Sequence, residues 1–595
     1  MSFYAPFCLP FIVGAVAMFV TLACKWGLWL WQLPRADKLR IVRGIPTRAT
    51  LDAAGEVVCE SLLHRRIFRV NPLLGYMHMS LAFGWFLLIT VGWIETVAYL
   101  GFRWVPLQGH VFFRYFATAL PHKPIFAFVM DALLLFVLSG VVLAWGKRFF
   151  SKRMGMRRTT KHLLGDRIAL SALWFIFPAR LIAESTTCAL YGGGSFLTGS
   201  LGAWMATRIP ETTLLTVETA AWWFYSSALG IFFAALPFSR YMHIFTEIPL
   251  IFLRRYRLRS GDKESSYDRF QVDACSRCGI CIDPCQLQSV LKVDRVQSVY
   301  FLRDRRYQLL RREVADNCLL CGRCAQRCPV QIDLNTLRIN ARDKLHNIPA
   351  GRRYDYLKGA DRSAGRGKTG YFAGCMTLLT PRTLAAMETI FRTAGEEVWW
   401  ADREGGVCCG RPLKIAGETE AARRMMSCNT DLFRKHGITT LVTSCPICLK
   451  VFREDYALEG IEVLHHSQYI LRLMQAGRLP VARSPKRFTY HDPCELGRGS
   501  GIYDEPRAVI EAVGRLLEPA DTRENALCCG SSVANTAITD SQQLTLARSV
   551  TAELEATGAE TIVTACPLCK KALGRSTART EVCDLAEIVA EAVSK

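Results

Sequence analysis

The cysteines of this 595-residue chain are concentrated in its second half. Residues 1–270 hold four isolated cysteines, whereas residues 271–595 hold twenty, most of them in closely spaced groups. Disulfide frameworks are typical of small secreted domains, and grouped cysteines in a large chain instead indicate metal or cluster binding in a reducing compartment. The second half is therefore predicted to be a soluble, metal-binding region.

Two runs in this half share the spacing C-x2-C-x2-C-x3-C. They comprise Cys275, Cys278, Cys281 and Cys285, then Cys318, Cys321, Cys324 and Cys328. In dicluster ferredoxins the fourth cysteine of each run binds the other cluster. The expected 4Fe–4S cubane ligands are Cys275, Cys278, Cys281 and Cys328 for one, and Cys318, Cys321, Cys324 and Cys285 for the other. Zinc is the alternative, because four thiolates also bind zinc, but two copies of this spacing favour iron–sulfur. Proline follows the second run, whereas Gln286 follows the first, a deviation to which we assign no role because the ligands are intact.

The last 225 residues contain an internal repeat. The first copy carries Cys375, Cys408, Cys409, Cys445 and Cys448, and the second carries Cys494, Cys528, Cys529, Cys566 and Cys569. The flanks TLVTSCPICLK and TIVTACPLCKK also agree. Each C-P-x-C group follows a β-branched run and opens a helical pattern, which predicts an α/β sandwich for each copy. A disulfide between adjacent cysteines is strained, so each set of five predicts a cluster site, with structural zinc as the alternative.

This pattern resembles the CCG domain, and residues 271–595 resemble the catalytic subunit of membrane-bound heterodisulfide reductase. The resemblance implies that each set of five cysteines holds a noncubane 4Fe–4S cluster, and that one or two such clusters split a substrate disulfide. The iron–sulfur subunit of anaerobic glycerol-3-phosphate dehydrogenase and the membrane electron-transfer-flavoprotein:quinone oxidoreductases are more distant relatives. Many CCG domains have histidine after the cysteine where this chain has Glu495. We associate this departure with the substrate or the protonation route.

Five apolar stretches in the first half are long enough to cross a bilayer, for which about 20 residues are needed. They run over 7–31, 73–100, 125–146, 167–189 and 215–250. The last is overlong and is expected to leave the bilayer before its end. The first lacks a basic leader and a small-residue cleavage site, which favours a retained anchor over a signal peptide.

The formal net charge is +22, and many of the basic residues lie in loops beside the apolar stretches. Residues 147–161 contain seven Lys or Arg, and the 32–72 loop contains eight. The positive-inside rule then places the N-terminus outside and the iron–sulfur half in the cytoplasm of a multi-pass protein of the cell (inner) membrane. The basic residues form no stripe interleaved with aromatics, so nucleic acid is excluded as a partner.

The segments GYMHMSLAFGWFLL and PFSRYMHIFTEIPL resemble the cytochrome b (gamma) subunit of respiratory nitrate reductase and its relatives. The resemblance implies b haems held by histidines from spans two and five. His78 and His243 match the ligand pair nearer the cytoplasm, whereas Leu88 and Tyr225 occupy the positions of the other pair. One haem b is therefore expected. The alternative is that each histidine is an interfacial polar residue, and His64 is a spare candidate ligand.

Charged side chains inside spans are costly and often functional. Arg180 with Asp131 or Glu184 is predicted to line a quinone site or a proton path in the space of the missing second haem.

The predicted fold class is multi-domain. A five-helix transmembrane bundle (1–255) precedes an α-helical ferredoxin-like domain with two 4Fe–4S clusters (256–350) and duplicated α/β CCG domains (368–475 and 486–595). The predicted function is a membrane-bound iron–sulfur oxidoreductase that passes electrons between membrane quinone and a cytoplasmic partner, either a disulfide substrate or a flavoprotein. The alternatives are an electron-transfer-flavoprotein:quinone oxidoreductase and a non-catalytic electron-transfer subunit that works with further subunits of a larger respiratory complex. The sequence has no flavin or nicotinamide fingerprint, so a hydride donor would be a separate protein.

Overall fold

The computed structural model describes residues 3–150, 160, 162–261, 264–346, 361–533 and 537–593, with backbone only for 148–150. Most of the basic loop predicted at 147–161 lies outside the described residues. The chain divides into two compact units. The first comprises Met1–Ser260 with Ser265–Gly279, and the second comprises Gly261–Glu264 with Ile280–Lys595.

The described part of the first unit is helical. Its α-helices are α1 (Leu9–Trp31), α2 (Arg35–Gly44), α3 (Arg48–Glu56), α4 (Arg65–Val70), α5 (Pro72–Leu100), α6 (Leu107–Val111), α7 (Phe113–Phe116), α8 (Pro124–Phe150), α9 (Leu164–Tyr191), α10 (Thr198–Arg208), α11 (Glu211–Ala235), α12 (His243–Arg255) and α13 (Ser266–Asp273). A π-helical turn at Val57–Leu62 separates α3 from α4, and 3₁₀ turns at Leu236–Phe238 and Arg240–Met242 separate α11 from α12.

Among the described residues, five helices are long and apolar enough to cross a membrane. They are Pro6–Trp31, Pro72–Leu100, Pro124–Lys147, Leu164–Tyr191 and Glu211–Phe238. The predicted number and order of apolar stretches are confirmed. As expected from its excess length, the fifth apolar stretch outlasts its helix, because the ring of Pro237 is incompatible with a continuing helix. His243 consequently begins α12 instead of lying late in span five.

Helices α1 and α11 approach closely through glycines. A Cβ atom on Gly14 would lie 2.2 Å from the carbonyl oxygen of Gly230, so only a glycine fits at this crossing. Small residues at helix crossings are typical of membrane bundles, where dispersion contacts drive association.

The second unit combines helices and strands. Its described helices are α14 (Gln286–Ser289), α15 (Ser298–Arg306), α16 (Arg312–Asp316), α17 (Arg323–Gln326), α18 (Leu334–His346), α19 (Pro381–Thr393), α20 (Arg411–Ala416), α21 (Thr419–Lys435), α22 (Pro446–Glu454), α23 (His466–Gln475), α24 (Gly497–Ser500), α25 (Asp504–Val513), α26 (Asp540–Glu555), α27 (Pro567–Gly574) and α28 (Leu585–Val593). Its described strands are β1 (Thr369–Phe372), β2 (Val398–Trp400), β3 (Thr440–Thr443), β4 (Glu462–His465), β5 (Arg487–His491), β6 (Arg515–Leu517), β7 (Thr561–Thr564) and β8 (Glu581–Asp584).

The strands form two parallel sheets of the same topology. Their orders are β2-β1-β3-β4 and β6-β5-β7-β8, with Tyr371 paired to Val442 in one and Tyr490 paired to Val563 in the other. One hydrophobic core contains these residues of both copies. The duplicated α/β arrangement is therefore confirmed, and each C-P-x-C group lies between a strand and a helix, as predicted.

Candidate functional site

The cysteine groups of both copies lie beyond the carboxyl ends of the parallel strands. In the first copy Cys375 follows β1, the Cys408–Cys409 pair follows β2 and Cys445 follows β3. The order of the sheet reverses between β1 and β3, and ligands of open parallel sheets bind at such a switch point. The fold therefore directs all three groups to one edge of the sheet.

The first site brings its five cysteines together. The thiol of Cys409 lies within hydrogen-bonding distance of Cys408 and Cys448, and that of Cys448 lies within the same range of Cys445. Cys375 interacts electrostatically with Cys409 and Cys445. Desolvation of its sulfur, together with the neighbouring thiols of Cys445 and Cys409, raises the pKa of Cys375 to about 11, so binding of iron would release its proton.

The second site repeats this arrangement. The thiol of Cys528 contacts Cys494 and Cys529. The sulfurs of Cys529 and Cys569 are 3.3 Å apart, and Cys569 contacts Cys566. Each predicted set of five thiols thus converges within its own copy.

The glycine after each cysteine pair adopts a backbone conformation that other residues rarely adopt. Gly410 and Gly530 both have φ near +81°, in the left-handed region that favours glycine. A Cβ atom on Gly530 would lie 2.7 Å from Cβ of Leu546. The C-C-G motif is therefore a turn that only glycine closes without strain, and it aims both cysteines at the site.

The carbonyl groups of the first cysteine pair are fixed from within the first copy. Asn429 of α21 donates to the carbonyl of Cys408 at 2.9 Å, and Tyr456 donates to that of Cys409 at 3.0 Å. Asp402 accepts from the backbone N–H groups of Ala373 and Gly374 and so holds the loop that carries Cys375.

In the ferredoxin-like region, the structure brings together the ligand set predicted for the second cubane. Cys285 and Cys324 each interact electrostatically with Cys318 and Cys321. These four thiols and Cys281 line one cavity. Burial raises the pKa of Cys285 to about 12, and the neighbouring thiols act in the same direction.

The predicted set for the first cubane spans both units. Cys275 and Cys278 belong to the first unit, whereas Cys281 and Cys328 belong to the second. This ligand set stays a prediction.

A junction joins the second cubane site to the second CCG site. The thiol of Cys528 donates a hydrogen bond to Cys321. This bond and the charge of Arg498 outweigh the effect of burial and lower the pKa of Cys321 to about 6. Arg498 also donates to the carbonyl of Cys321 at 2.6 Å and to that of Ala526 at 2.8 Å. Leu287 and Leu319 share an apolar core with Cys528. Two predicted redox sites are therefore neighbours in one packed body.

Gln286 is the residue at this junction that sequence reasoning missed. Its amide donates to the carbonyl of Cys528 at 3.0 Å and accepts from the N–H of Cys528 at 2.7 Å. Gln286 is 2% exposed, so these two bonds are shielded from water. The signal in the sequence is its occurrence at a position where the second run carries proline, to which sequence reasoning assigned no role.

Two further residues lie beside the CCG sites. Glu495, which replaces the usual histidine, lies 3.7 Å from the guanidinium of Arg411 in the first copy. It therefore links the two CCG sites. His491 is buried at the end of β5 and bonds through Nε2 to the carbonyl of Leu527 at 3.2 Å, so it supports the second cysteine pair through the backbone.

The histidines predicted as haem ligands lie in one neighbourhood of the first unit. His78 interacts electrostatically with both His64 and His243. The rings of His64 and His78 are stacked, with centroids 5.6 Å apart. His243 donates from Nδ1 to the carbonyl of Arg240 at 2.7 Å, the kind of hydrogen bond that orients a metal-binding histidine. His64 has a left-handed backbone (φ 53°) directly after the π-helical turn, and such strain is common at functional sites.

Arg240 also connects this neighbourhood to the first cysteine run. Its guanidinium donates to the carbonyl of Ser276 at 2.8 Å, between Cys275 and Cys278. Arg277, in the same loop, forms a buried ion pair with Asp166 at the start of α9. The loop is thereby fixed next to His243 within the first unit.

The expected partnership of Arg180 is partly corrected. Arg180 pairs with Glu184 at 2.9 Å and bonds to Tyr225, the residue at a missing haem-ligand position. Asp131 is not its partner. Asp131 accepts instead from the backbone N–H groups of Ser195, Leu197 and Thr198, because it caps the start of α10. The predicted quinone site or proton path stays a prediction.

The donor chemistry of these sites fits iron–sulfur clusters. Converging sets of four or five thiols, with arginines close by, are the soft ligands that such clusters take.

Comparison with known families agrees with the cysteine motifs. Residues 369–453 and 488–574 each match the cysteine-rich (CCG) domain, and residues 271–332 match the 4Fe-4S dicluster domain. The chain thus carries a 4Fe–4S dicluster domain followed by two CCG domains.

Three relatives illustrate the range of similar proteins. EtfAB:quinone oxidoreductase of Syntrophomonas wolfei is 22% identical over 90% of this chain and 90% of its own length. One subunit of the fumarate reductase (CoM/CoB) of Methanothermobacter marburgensis is 26% identical over 52% of this chain and 68% of its own length. One subunit of the dihydromethanophenazine:CoB–CoM heterodisulfide reductase of Methanosarcina barkeri is 29% identical over 38% of this chain and 58% of its own length. These relatives support an iron–sulfur electron-transfer oxidoreductase.

Proposed function

We propose that this chain is a membrane-bound iron–sulfur oxidoreductase that passes electrons between a cytoplasmic flavoprotein and membrane quinone. The observation that carries this proposal is the share of the chain that each relative matches. The relative similar over 90% of the chain, apolar half included, is named EtfAB:quinone oxidoreductase, whereas the heterodisulfide reductase relatives cover 38–54% of the chain. An apolar five-helix half gives access to the bilayer in which quinones dissolve.

The side chains that would hold the cofactors are chosen by the contacts described above or by the spacing of the sequence motifs. Two cubane clusters are assigned to Cys275, Cys278, Cys281, Cys328 and to Cys318, Cys321, Cys324, Cys285. One or two noncubane clusters are assigned to Cys375, Cys408, Cys409, Cys445, Cys448 and to Cys494, Cys528, Cys529, Cys566, Cys569, and one haem b to His78 and His243. When bound, these groups supply one-electron carriers.

Within each unit, hydrogen bonds of the chain itself hold neighbouring sites together. Arg240 bonds to both His243 and the loop of Cys275 and Cys278. Gln286 joins the dicluster domain to the second CCG site. Buried Arg338 and Arg342 donate to backbone carbonyls around the second cubane site and place positive charge near its thiolates.

Disulfide reduction at the CCG sites is the second candidate. Both sets of five cysteines are complete and each converges in its own copy, which a pure relay does not require. The link between Glu495 and Arg411 also holds the two sites side by side, as cleavage of one disulfide between them needs.

One experiment separates these candidates. The purified full chain is mixed anaerobically with a reduced electron-transferring flavoprotein, or with a dithiol, and electron paramagnetic resonance is recorded. Flavoprotein-driven cluster reduction without a thiol-induced signal supports the flavoprotein proposal. A thiol-induced signal, with no response to the flavoprotein, overturns it in favour of disulfide chemistry.

A further inference from the structure

The two CCG copies differ at the surface beside the cysteine pair, which the dicluster domain covers in the second copy. In the second copy the dicluster domain packs over the cysteine pair, and Cys528 is 2% exposed. In the first copy the equivalent Cys408 is half-buried and Cys375 is exposed. Among the residues that the structure describes, the repeat therefore presents one face covered by the dicluster domain and one exposed face.

The internal repeat identifies the open face residue by residue. Arg498, which holds the dicluster domain through the carbonyl of Cys321, lies four residues after Cys494. The residue four positions after Cys375 is Leu379, which is 63% exposed. We call Cys375, Met376, Leu379 and Glu404 the Cys375 face.

The carbonyl groups beside the Cys375 face are satisfied from within the first copy, and the dicluster domain contacts this copy elsewhere, where Arg342 donates to the carbonyl of Ile415 and Asp343 accepts from the N–H of Thr419. Asn429 satisfies the carbonyl of Cys408 from within the copy, whereas Gln286 of the dicluster domain satisfies the equivalent carbonyl of Cys528. The first copy therefore requires no permanent neighbour at this face.

We infer that the Cys375 face is the docking surface for the soluble flavoprotein, which occupies the first CCG copy as the dicluster domain occupies the second. The inference rests on the proposed function for the identity of the partner. Its structural basis is that, by the internal repeat, this face is equivalent to the surface of the second copy on which the dicluster domain packs. In that interface a ligand thiol of the docked domain, Cys321, reaches Cys528. A partner seated in the equivalent way would bring its redox group beside Cys408.

The test measures binding of a purified electron-transferring flavoprotein to the immobilised full chain. Leu379→Glu is expected to raise Kd at least tenfold, because it places a charge at the centre of the contact. Leu309→Glu is the matched control, since Leu309 is also exposed (55%) but belongs to the dicluster region, and its Kd is expected to stay within twofold. Iron content and circular dichroism establish that both variants fold.

Hydrogen exchange gives a second measurement without turnover. Addition of the flavoprotein is expected to protect amides at 375–380 and 403–408. Equal Kd values for the two variants, or protection confined to other segments, would overturn the docking surface while leaving the flavoprotein as partner. Failure of the unmodified chain to bind the flavoprotein would instead overturn the proposed partner and, with it, this inference.

Discussion

Replacement of Gln286 by leucine tests whether the junction between the dicluster and CCG sites is held by this one side chain. Leucine has a side chain of similar size to glutamine but lacks the amide, so both hydrogen bonds to the backbone of Cys528 are lost. Each buried backbone group left unpaired costs about 1–3 kcal/mol. The retained apolar packing offsets part of this, so we expect a local destabilisation of roughly 2–4 kcal/mol.

The assay is hydrogen exchange of the peptide that contains Cys528. A loss of about 2 kcal/mol in local opening corresponds to roughly 30-fold faster exchange, since about 1.4 kcal/mol is a factor of ten. Gln326→Leu is the control, because Gln326 is an exposed glutamine of the same domain. Unchanged exchange at Cys528 in the Gln286→Leu protein, or an equal change in the control, would refute the assignment of the junction to Gln286.

Three further predictions concern the first unit and its surroundings. Arg240→Met leaves the buried carbonyl of Ser276 without its donor, so iron loss to a chelator is expected to accelerate, with a local cost of about 1–3 kcal/mol. His78→Ala and His243→Ala are each expected to abolish the haem b absorbance of the pyridine haemochrome, while acid-labile sulfide stays unchanged; retained absorbance in both would contradict the haem assignment. Burial raises the pKa of Glu247 from 4.5 to about 8, so the folded chain keeps a proton that the unfolded chain releases. Stability should therefore fall as pH rises from 4.5 to 8, and the thermal midpoint of Glu247→Gln should lack this decline.

Local sequence patterns are sufficient for much of the fold. The β-branched runs before Cys445 and Cys566 predict strands, and the proline after each cysteine predicts a helix start, because these signals act within a few residues. The apolar stretches likewise predict the candidate spans. The fifth stretch is expected to leave the bilayer before its end, and the helix does stop before Pro237 although the apolar sequence continues.

The contacts that join the sites are beyond such patterns. Gln286 meets Cys528 across 242 positions of sequence, and no local periodicity encodes that pairing. Asp131 is expected near Arg180 because both are charged residues in spans, but three backbone N–H groups of a later loop satisfy its carboxylate. Local motifs predict which residues bear the chemistry, while non-local hydrogen bonding decides which of them are neighbours.

Reoxidation of the reduced clusters by quinone tests the central claim most directly. The full chain in lipid nanodiscs is reduced anaerobically with a stoichiometric reductant and mixed with a short-chain quinone while cluster absorbance is followed. The proposed function predicts reoxidation at a rate that rises with quinone concentration and then saturates. Clusters that stay reduced in the presence of quinone, yet reoxidise with a soluble dye, would contradict it.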